Sequence, residues 1–143
     1  MKLFGKIWRD KDTPFWVVDI PSLDLSTQGE SRAEAFEMAA DAVHCLTDDP
    51  EFKVTVSEDS LGEGFYVEAN NSSRLLGLVL QRNRLKLGLT YEETRELINA
   101  KSRSEFQTYE KGDTDPTLGK LERLLGSLGY DLILRERKPK KPA

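Results

Sequence analysis

The 143-residue sequence predicts an α+β protein in which a small sheet with one helix is followed by an all-α region. Two observations carry this prediction. The first half contains short segments rich in aromatic and β-branched residues, of which FWVVDI is the clearest, and such residues favour strands. The second half contains helix-capping signals and leucines at helical spacing. A polar run at residues 70–73 separates the halves, so we predict domains over residues 1–70 and 71–143.

The first half predicts the element order β-β-α-β-β. The helix begins after Ser31, which forms a capping box with Glu34. Its apolar stripe follows at helical spacing and comprises Ala35, Phe36, Ala39, Ala40, Val43 and Leu46. Strands are predicted over residues 2–10, 15–20, 51–58 and 65–69.

The second half predicts a series of helices. The first covers residues 74–86, and two short helices follow, with capping boxes at Thr90 and Ser102. Asp115 and Pro116 form a third start signal, a cap followed by a first-turn proline. The closing helix has a predicted core stripe and a glycine placed to end it, the positions being Leu118, Leu121, Leu125, Leu128 and Gly129. The alternating segment YDLIL at residues 130–134 predicts a short strand that pairs with its twin across a two-fold axis.

The net charge of −4 conceals opposite charges in the two halves. Residues 1–70 hold 6 Lys/Arg and 15 Asp/Glu, whereas residues 71–143 hold 15 and 10. A basic half is expected for nucleic-acid binding, and an acidic half attracts a basic partner. The chain has no apolar run of membrane-spanning length and no secretion signal, so we expect a cytoplasmic protein with no membrane partner. One Cys and one His give no metal cluster, and no cofactor is expected.

Two short capped helices joined by a tight turn predict a helix-turn-helix, whose second helix enters the major groove of DNA. In that second helix, Phe106 and Tyr109 share a face that should be core. Five donors then point outward: Arg103, Ser104, Gln107, Thr108 and Lys111. Gln and Arg pair bidentately with base edges. A small helical bundle with a solvated polar face is the alternative interpretation of the same pattern.

LGLTYEE, SRSEFQTYEKGD and the leucines of the closing helix resemble the Cro/C1-type (XRE) helix-turn-helix family over about residues 74–130. The resemblance implies an ion pair between Arg84 and Glu110. It also places Tyr91 and Ser102 at the starts of the two helices, and we include both in the predicted DNA-binding set. This chain departs from the family pattern at Tyr91, where Gln is usual, at Thr94-Arg95, where Leu-Ala is usual, and in a longer turn.

FWVVDIPSLDLSTQGESRAEAFEMAADAV resembles the N-terminal domain of HicB-family antitoxins over about residues 3–69. The shared pattern is an aromatic-rich strand running into D-I-P-x-L, then T-Q-G-E-S and an alanine-rich helix. The resemblance implies a degenerate RNase H-like domain without nuclease activity that neutralises a HicA-like, RNA-cleaving toxin. Together the two resemblances imply an antitoxin that also represses its own operon by binding double-stranded operator DNA as a dimer or a dimer of dimers.

Two other functions remain open at the level of sequence. In one alternative, the chain is a stand-alone transcriptional regulator whose first domain senses a ligand or dimerises. A metal-dependent nuclease would use carboxylates of the first half, namely Asp19, Asp24, Glu30 and Asp41, but their spacing does not fix them around one ion. We therefore expect no enzyme activity. The basic tail over residues 135–141 is suited either to phosphate contact or to solubility.

Overall fold

The structure, a computed structural model, describes residues 1–59, 62 and 64–136. Within these residues the chain forms one antiparallel sheet and five α-helices, which confirms the α+β class. The strands are β1 (Leu3–Arg9), β2 (Trp16–Ile20), β3 (Leu25–Gly29), β4 (Val54–Glu58) and β5 (Gly64–Ala69), in the order β3-β2-β1-β5-β4. Residues 137–143, which include most of the predicted basic tail, lie outside the described residues.

The predicted β-β-α-β-β order is wrong by one strand, because it lacks β3. A 3₁₀ turn at Pro21–Leu23 and the left-handed backbone of Asp24 (φ 48°) reverse the chain, and β3 then pairs with β2 along its full length. β3 is an edge strand whose outward side chains are polar, so its sequence lacks the apolar alternation of a half-buried strand.

One helix, α1 (Arg32–His44), covers one face of the sheet. Ser31 caps it as predicted, its hydroxyl accepting a hydrogen bond from the Glu34 amide at 3.1 Å. The buried side of the helix meets the inward side chains of the strands, and the shared core includes Val18, Ile20, Ala35, Ala39, Val43, Phe65 and Val67. On the opposite face of the sheet, Phe4 and Trp8 are exposed.

The long helix α2 (Ser72–Lys86) packs against the sheet and against the later helices. Residues 75–80 are buried without interruption, which a helix shows when both of its sides are covered. Near its end, Asn83 donates from Nδ2 to the Ser22 carbonyl at 2.9 Å, and Arg82 donates from Nε to the Leu23 carbonyl at 2.9 Å. The predicted domain boundary between residues 70 and 71 therefore falls just before α2, a helix that packs against both the sheet and the later helices.

The remaining helices are α3 (Tyr91–Leu97), α4 (Arg103–Lys111) and α5 (Leu118–Ser127). The Thr90 capping box is complete, and Ser102 caps α4 as predicted. The predicted start of α5 at Asp115 and Pro116 is wrong: Thr117 is the cap, and its hydroxyl accepts from the Lys120 amide. A Thr directly after the proline competes for the capping position. Leu124 and Leu125 of this helix are buried, whereas Leu118 of the predicted stripe is exposed.

The end of α5 follows the glycine prediction, whereas the segment after it does not form a strand. Gly129 has a φ of 90°, and the amide of Tyr130 returns to the Leu125 carbonyl at 2.8 Å, which closes the helix. Residues 130–136 have no regular secondary structure. The apolar alternation at 130–134 is typical of a strand, but within the described residues no strand of the same chain pairs with it.

α2 and α4 approach each other closely at Gly77. A Cβ added to Gly77 would overlap the backbone carbonyl of Glu110. Backbone cannot move aside as a flexible side chain can, so only glycine permits this approach. At the end of α4, Gly112 adopts a left-handed φ of 76° beside the backbone of Arg74.

Gly77→Ala should therefore destabilise the protein by about 2–3 kcal/mol, because the added methyl overpacks the α2–α4 contact. Urea denaturation followed by circular dichroism measures the change. Gly119→Ala is the matched control, since nothing lies within 4 Å of a Cβ at that helical glycine, and it should be neutral or stabilising by up to about 1 kcal/mol. Equal stability of the Gly77→Ala and parent proteins would contradict the close approach.

Candidate nucleic-acid interface

α3 and α4 are joined by a turn that contains one left-handed residue. Asn99 has a φ of 54°, a conformation that Asn tolerates better than most side chains. Arg95 Nη1 donates to the Ala100 carbonyl at 3.3 Å, and the Lys101 amide donates to Glu105 Oε2 at 3.2 Å. These contacts tie the turn to the helix on each side of it.

The expected pair of Arg84 and Glu110 is present, with Glu110 buried and Arg84 partly buried. Arg84 Nε donates to Glu110 Oε1 at 2.8 Å, and the two side chains are 12% and 5% exposed. The Arg84 guanidinium also lies 4.2 Å from the centre of the Tyr91 ring. One arginine of α2 therefore contacts the start of α3 and the end of α4, so it fixes both helices relative to α2.

Glu105 organises the other side of α4. Its Oε1 accepts from the Tyr109 hydroxyl at 2.9 Å and from Lys120 Nζ of α5. The hydrogen bond from Lys120 is the main reason that the pKa of Glu105 lies below its usual value. The pKa of Tyr109 is raised, chiefly by burial and then by its bond to Glu105. The bridge thus ties α4 to α5 as long as Glu105 is ionised.

Arg103, Ser104 and Ser102 are exposed at the N-terminal end of α4. The Ser102 hydroxyl caps the helix and lies 3.0 Å from the Ser104 hydroxyl. Arg103 Nε lies 3.7 Å from Glu92 Oε2, and both side chains are largely exposed, so the pair is weak in water. Arg103 can therefore exchange this carboxylate for another anionic partner at little cost.

Gln107 and Thr108 are half-buried, one turn further along α4. Among the described residues the Gln107 amide has no hydrogen-bond partner, so its donor and acceptor are available to a ligand. The Thr108 hydroxyl is engaged within the chain, donating to the Glu105 carbonyl at 2.8 Å and lying 2.8 Å from the Thr114 hydroxyl. Lys111 is exposed in the last turn, and its carbonyl accepts from Arg74 Nη1 at 2.9 Å.

Tyr91 differs from the other predicted DNA-binding residues because its ring packs inward. It contacts the Phe106 ring at a centroid distance of 6.3 Å, and its hydroxyl accepts from Arg84 Nη2 at 3.4 Å. Burial is the largest cause that raises the pKa of Tyr91. Its part in fixing α3 is evident from these contacts, and DNA binding by Tyr91 stays a prediction.

The positive charge of the second half is concentrated in its tail. Residues 71–136 hold 11 Lys/Arg and 10 Asp/Glu, whereas residues 137–143 hold four Lys/Arg and no Asp/Glu. Several cations of the helical region are also paired with carboxylates of the chain, including Arg84, Arg95, Lys120 and Arg135. Lys101 is exposed in the turn before α4 and was missed from the predicted set, although its position beside Ser102 was a usable signal.

The acidic residues of the first half do not form a metal site among the described residues. Asp19 Oδ1 accepts from the Ser26 hydroxyl at 2.9 Å, and Asp24 Oδ1 lies 3.9 Å from Lys86 Nζ. No helix in the described part of the chain is long and apolar enough to cross a bilayer.

No protein-family model matches the sequence, and no match is found among curated proteins. A proposal of function therefore rests on the resemblances in the sequence together with the chain's own contacts and charges.

Glu110→Gln should destabilise the protein by about 3 kcal/mol, because it leaves the buried Arg84 guanidinium without its counter-charge. Thermal and urea unfolding measure the loss. The double variant Arg84→Met with Glu110→Leu is the matched control: a buried ion pair replaced by apolar groups is often tolerated, so it should be more stable than the single variant. A single variant as stable as the parent would show that the pair does not hold the helices.

Proposed function

We propose that this chain is a HicB-type antitoxin that neutralises a HicA-like, mRNA-cleaving toxin and represses its own operon. In this proposal the helices α3 and α4 form a helix-turn-helix of the Cro/C1 type, and the sheet with α1 is the toxin-binding, degenerate RNase H-like domain. The protein acts in the cytoplasm and does not itself catalyse a reaction.

One observation carries the DNA-binding part of the proposal: α4 is held on its inner side and presents donors on its outer side. Phe106, Tyr109 and Glu110 are buried against the neighbouring helices. Arg103 and Gln107 remain available outside, and these are residue types that recognise guanine and adenine edges in the major groove. A recognition helix needs this division between an anchored face and a polar face.

Phosphate contacts would come from a small number of cations. Lys101, Arg103 and Lys111 are exposed along α4 and its preceding turn. Because the helical region is close to neutral, the four Lys/Arg of residues 137–143 would supply much of the attraction to DNA. Binding should therefore weaken steeply as salt is raised.

Toxin binding is supported by the charge of the first half and by its placement on α1. Glu34, Glu37 and Asp41 are exposed on the outer side of this helix, at spacings of three and four residues that place them in one row. A small basic toxin would be attracted to such a row, because complementary charge speeds encounter between proteins.

The DNA-binding proposal predicts different effects for two residues of α4. Arg103→Ala should lower affinity for a duplex from the promoter of the chain's own gene by about tenfold, and Gln107→Ala should relax base preference at one position of each half-site by about 1–3 kcal/mol. Fluorescence anisotropy over a salt series and a set of single-base variants of the duplex measures both effects.

Lys53→Ala is the control for these two variants, since Lys53 is an exposed lysine just before β4 on the sheet. It should change neither affinity nor base preference. The helix-turn-helix assignment fails if Arg103→Ala keeps the parent's affinity and salt dependence while Gln107→Ala keeps its base preference.

The toxin-binding proposal predicts a tight complex when the chain is co-expressed with the product of the adjacent small, basic open reading frame. Glu34→Lys with Glu37→Lys should slow association by about tenfold at low salt, and the difference should shrink as salt screens the charges. Surface plasmon resonance on the purified pair measures the association rates.

Glu96→Lys with Asp115→Lys provides an equal charge reversal at exposed sites on α3 and just before α5, and it should leave toxin association nearly unchanged. A chain that binds promoter DNA but forms no complex with the neighbouring product would instead be a stand-alone regulator. Cleavage of an RNA–DNA hybrid by the purified chain would contradict the absence of catalysis.

A further inference from the structure

The segment after α5 displays three consecutive apolar side chains to solvent. Leu132, Ile133 and Leu134 are 46%, 81% and 102% exposed. Among the described residues the backbone groups of residues 131–136 have no hydrogen-bond partner. A backbone whose N–H and C=O groups have no partner among the described residues, with exposed apolar side chains beside them, is a template for pairing with another strand.

This segment is held at both ends by contacts with the rest of the chain. The Tyr130 hydroxyl lies 3.0 Å from Asn83 Oδ1, to which it donates. At the other end Arg135 Nη2 donates to Asp59 Oδ1 at 3.1 Å, and its guanidinium lies 5.5 Å from the centre of the Tyr66 ring. A segment fixed at both ends loses less conformational freedom when its middle is bound, which favours association.

We propose that residues 130–136 pair in antiparallel fashion with the same segment of a second copy of this chain, with Ile133 on the two-fold axis. In this register Ile133 faces itself and Leu132 faces Leu134 of the second copy. Asp131 then faces Arg135 of the second copy, and the symmetry repeats this ion pair on the other side of the axis.

Charge selects this register over its neighbours. A shift by one residue in one direction places Asp131 opposite Glu136, a like-charge pair, and Leu132 opposite Arg135. A shift in the other direction places Asp131 opposite Leu134. Opposite charges facing each other stabilise a strand pair, and like charges destabilise it, so charge favours the register centred on Ile133 over either one-residue shift.

Arg135 can pair with Asp131 of the second copy without losing its contact with Asp59 of its own chain. Its side chain is half exposed, and its described hydrogen bond to Asp59 uses only Nη2. A guanidinium carries five N–H donors in a fixed plane, so Nε and Nη1 can reach Asp131 of the second copy while Nη2 stays on Asp59.

A groove beside the segment gives space for the leucines of the second copy. It has a volume of about 340 Å³ and is lined by Glu122, Gly126, Tyr130, Asp131 and Leu132. Gly126 contributes no side chain to the groove, and nothing lies within 4 Å of a Cβ at that position. Leu134 of the second copy, placed opposite Leu132, would enter this groove and bury apolar surface that is exposed in one chain.

This interface gives the proposed repressor its two-fold axis and rests on the proposed function in that respect. Self-association is nevertheless measurable without DNA or toxin. Protein that dimerises through this segment but does not bind promoter DNA would overturn the repressor assignment alone. Protein that binds promoter DNA but stays monomeric would overturn the interface alone.

A charge swap in the full chain tests the proposal, with sedimentation velocity over a range of protein concentrations as the measurement. Arg135→Asp and Asp131→Arg each place two like-charge pairs across the axis, so each should weaken dimerisation about tenfold or more. The double variant restores opposite charges and should recover most of the lost dimer. The proposal would be overturned by a parent protein that is monomeric at all concentrations. It would also be overturned by a double variant that dimerises no more strongly than the single variants.

Disulfide trapping tests the register independently of charge. In a Cys45→Ser background, Ile133→Cys should form an intermolecular disulfide on mild oxidation, because directly opposed Cβ atoms lie within disulfide range. Ser127→Cys, at an exposed position of α5, is the matched control and should not cross-link. Equal cross-linking of the two variants would exclude Ile133 from the axis.

Discussion

The contact between α2 and α4 is the constraint on which the rest of the structure depends. The two backbones meet at Gly77, where no side chain fits, and a few residues further along Arg84 of α2 pairs with Glu110 of α4. The glycine sets the distance between the helices and the ion pair sets their alignment. Because the glycine contact and the ion pair both lie between the packed helices, α4 has little freedom to rotate, and its polar side is held toward solvent.

The same helix connects this arrangement to the sheet. Asn83 donates to the Ser22 carbonyl and accepts from the Tyr130 hydroxyl, so one side chain of α2 links the sheet, the helix and the segment after α5. The proposed toxin-binding part, DNA-binding helix and dimer segment therefore all touch α2. This gives a physical route by which the three proposed activities can occur in a single chain without a flexible linker.

The sequence was sufficient where local chemistry decides the structure. The caps at Ser31, Thr90 and Ser102 and the burial of Phe106 and Tyr109 all follow from side-chain type and spacing. Local patterns failed where the environment decides. β3 has a polar outer side because it is an edge strand, and the segment at 130–134 has strand alternation but no neighbouring strand in its own chain.

The residues of the candidate site likewise fall into those whose placement local sequence predicts and those whose placement depends on other helices. Exposure of Arg103 and Ser104 follows from helical periodicity, whereas the inward packing of Tyr91 depends on Arg84 approaching from another helix. The position of Arg84 beside Glu110 was implied only by family resemblance, since a contact across 26 positions has no local signal. Gly77 was missed because close helix approach leaves only a lone glycine in an otherwise ordinary apolar stretch.

DNase I footprinting of the promoter of the chain's own gene tests the central claim most directly, that α4 is presented as a groove-binding helix in a symmetric pair. We expect one protected region containing an inverted repeat, with half-site centres about 34 Å apart or a multiple of that distance, as for helix-turn-helix dimers. Protection that is absent, or that spreads evenly over the fragment without a repeat, would contradict it.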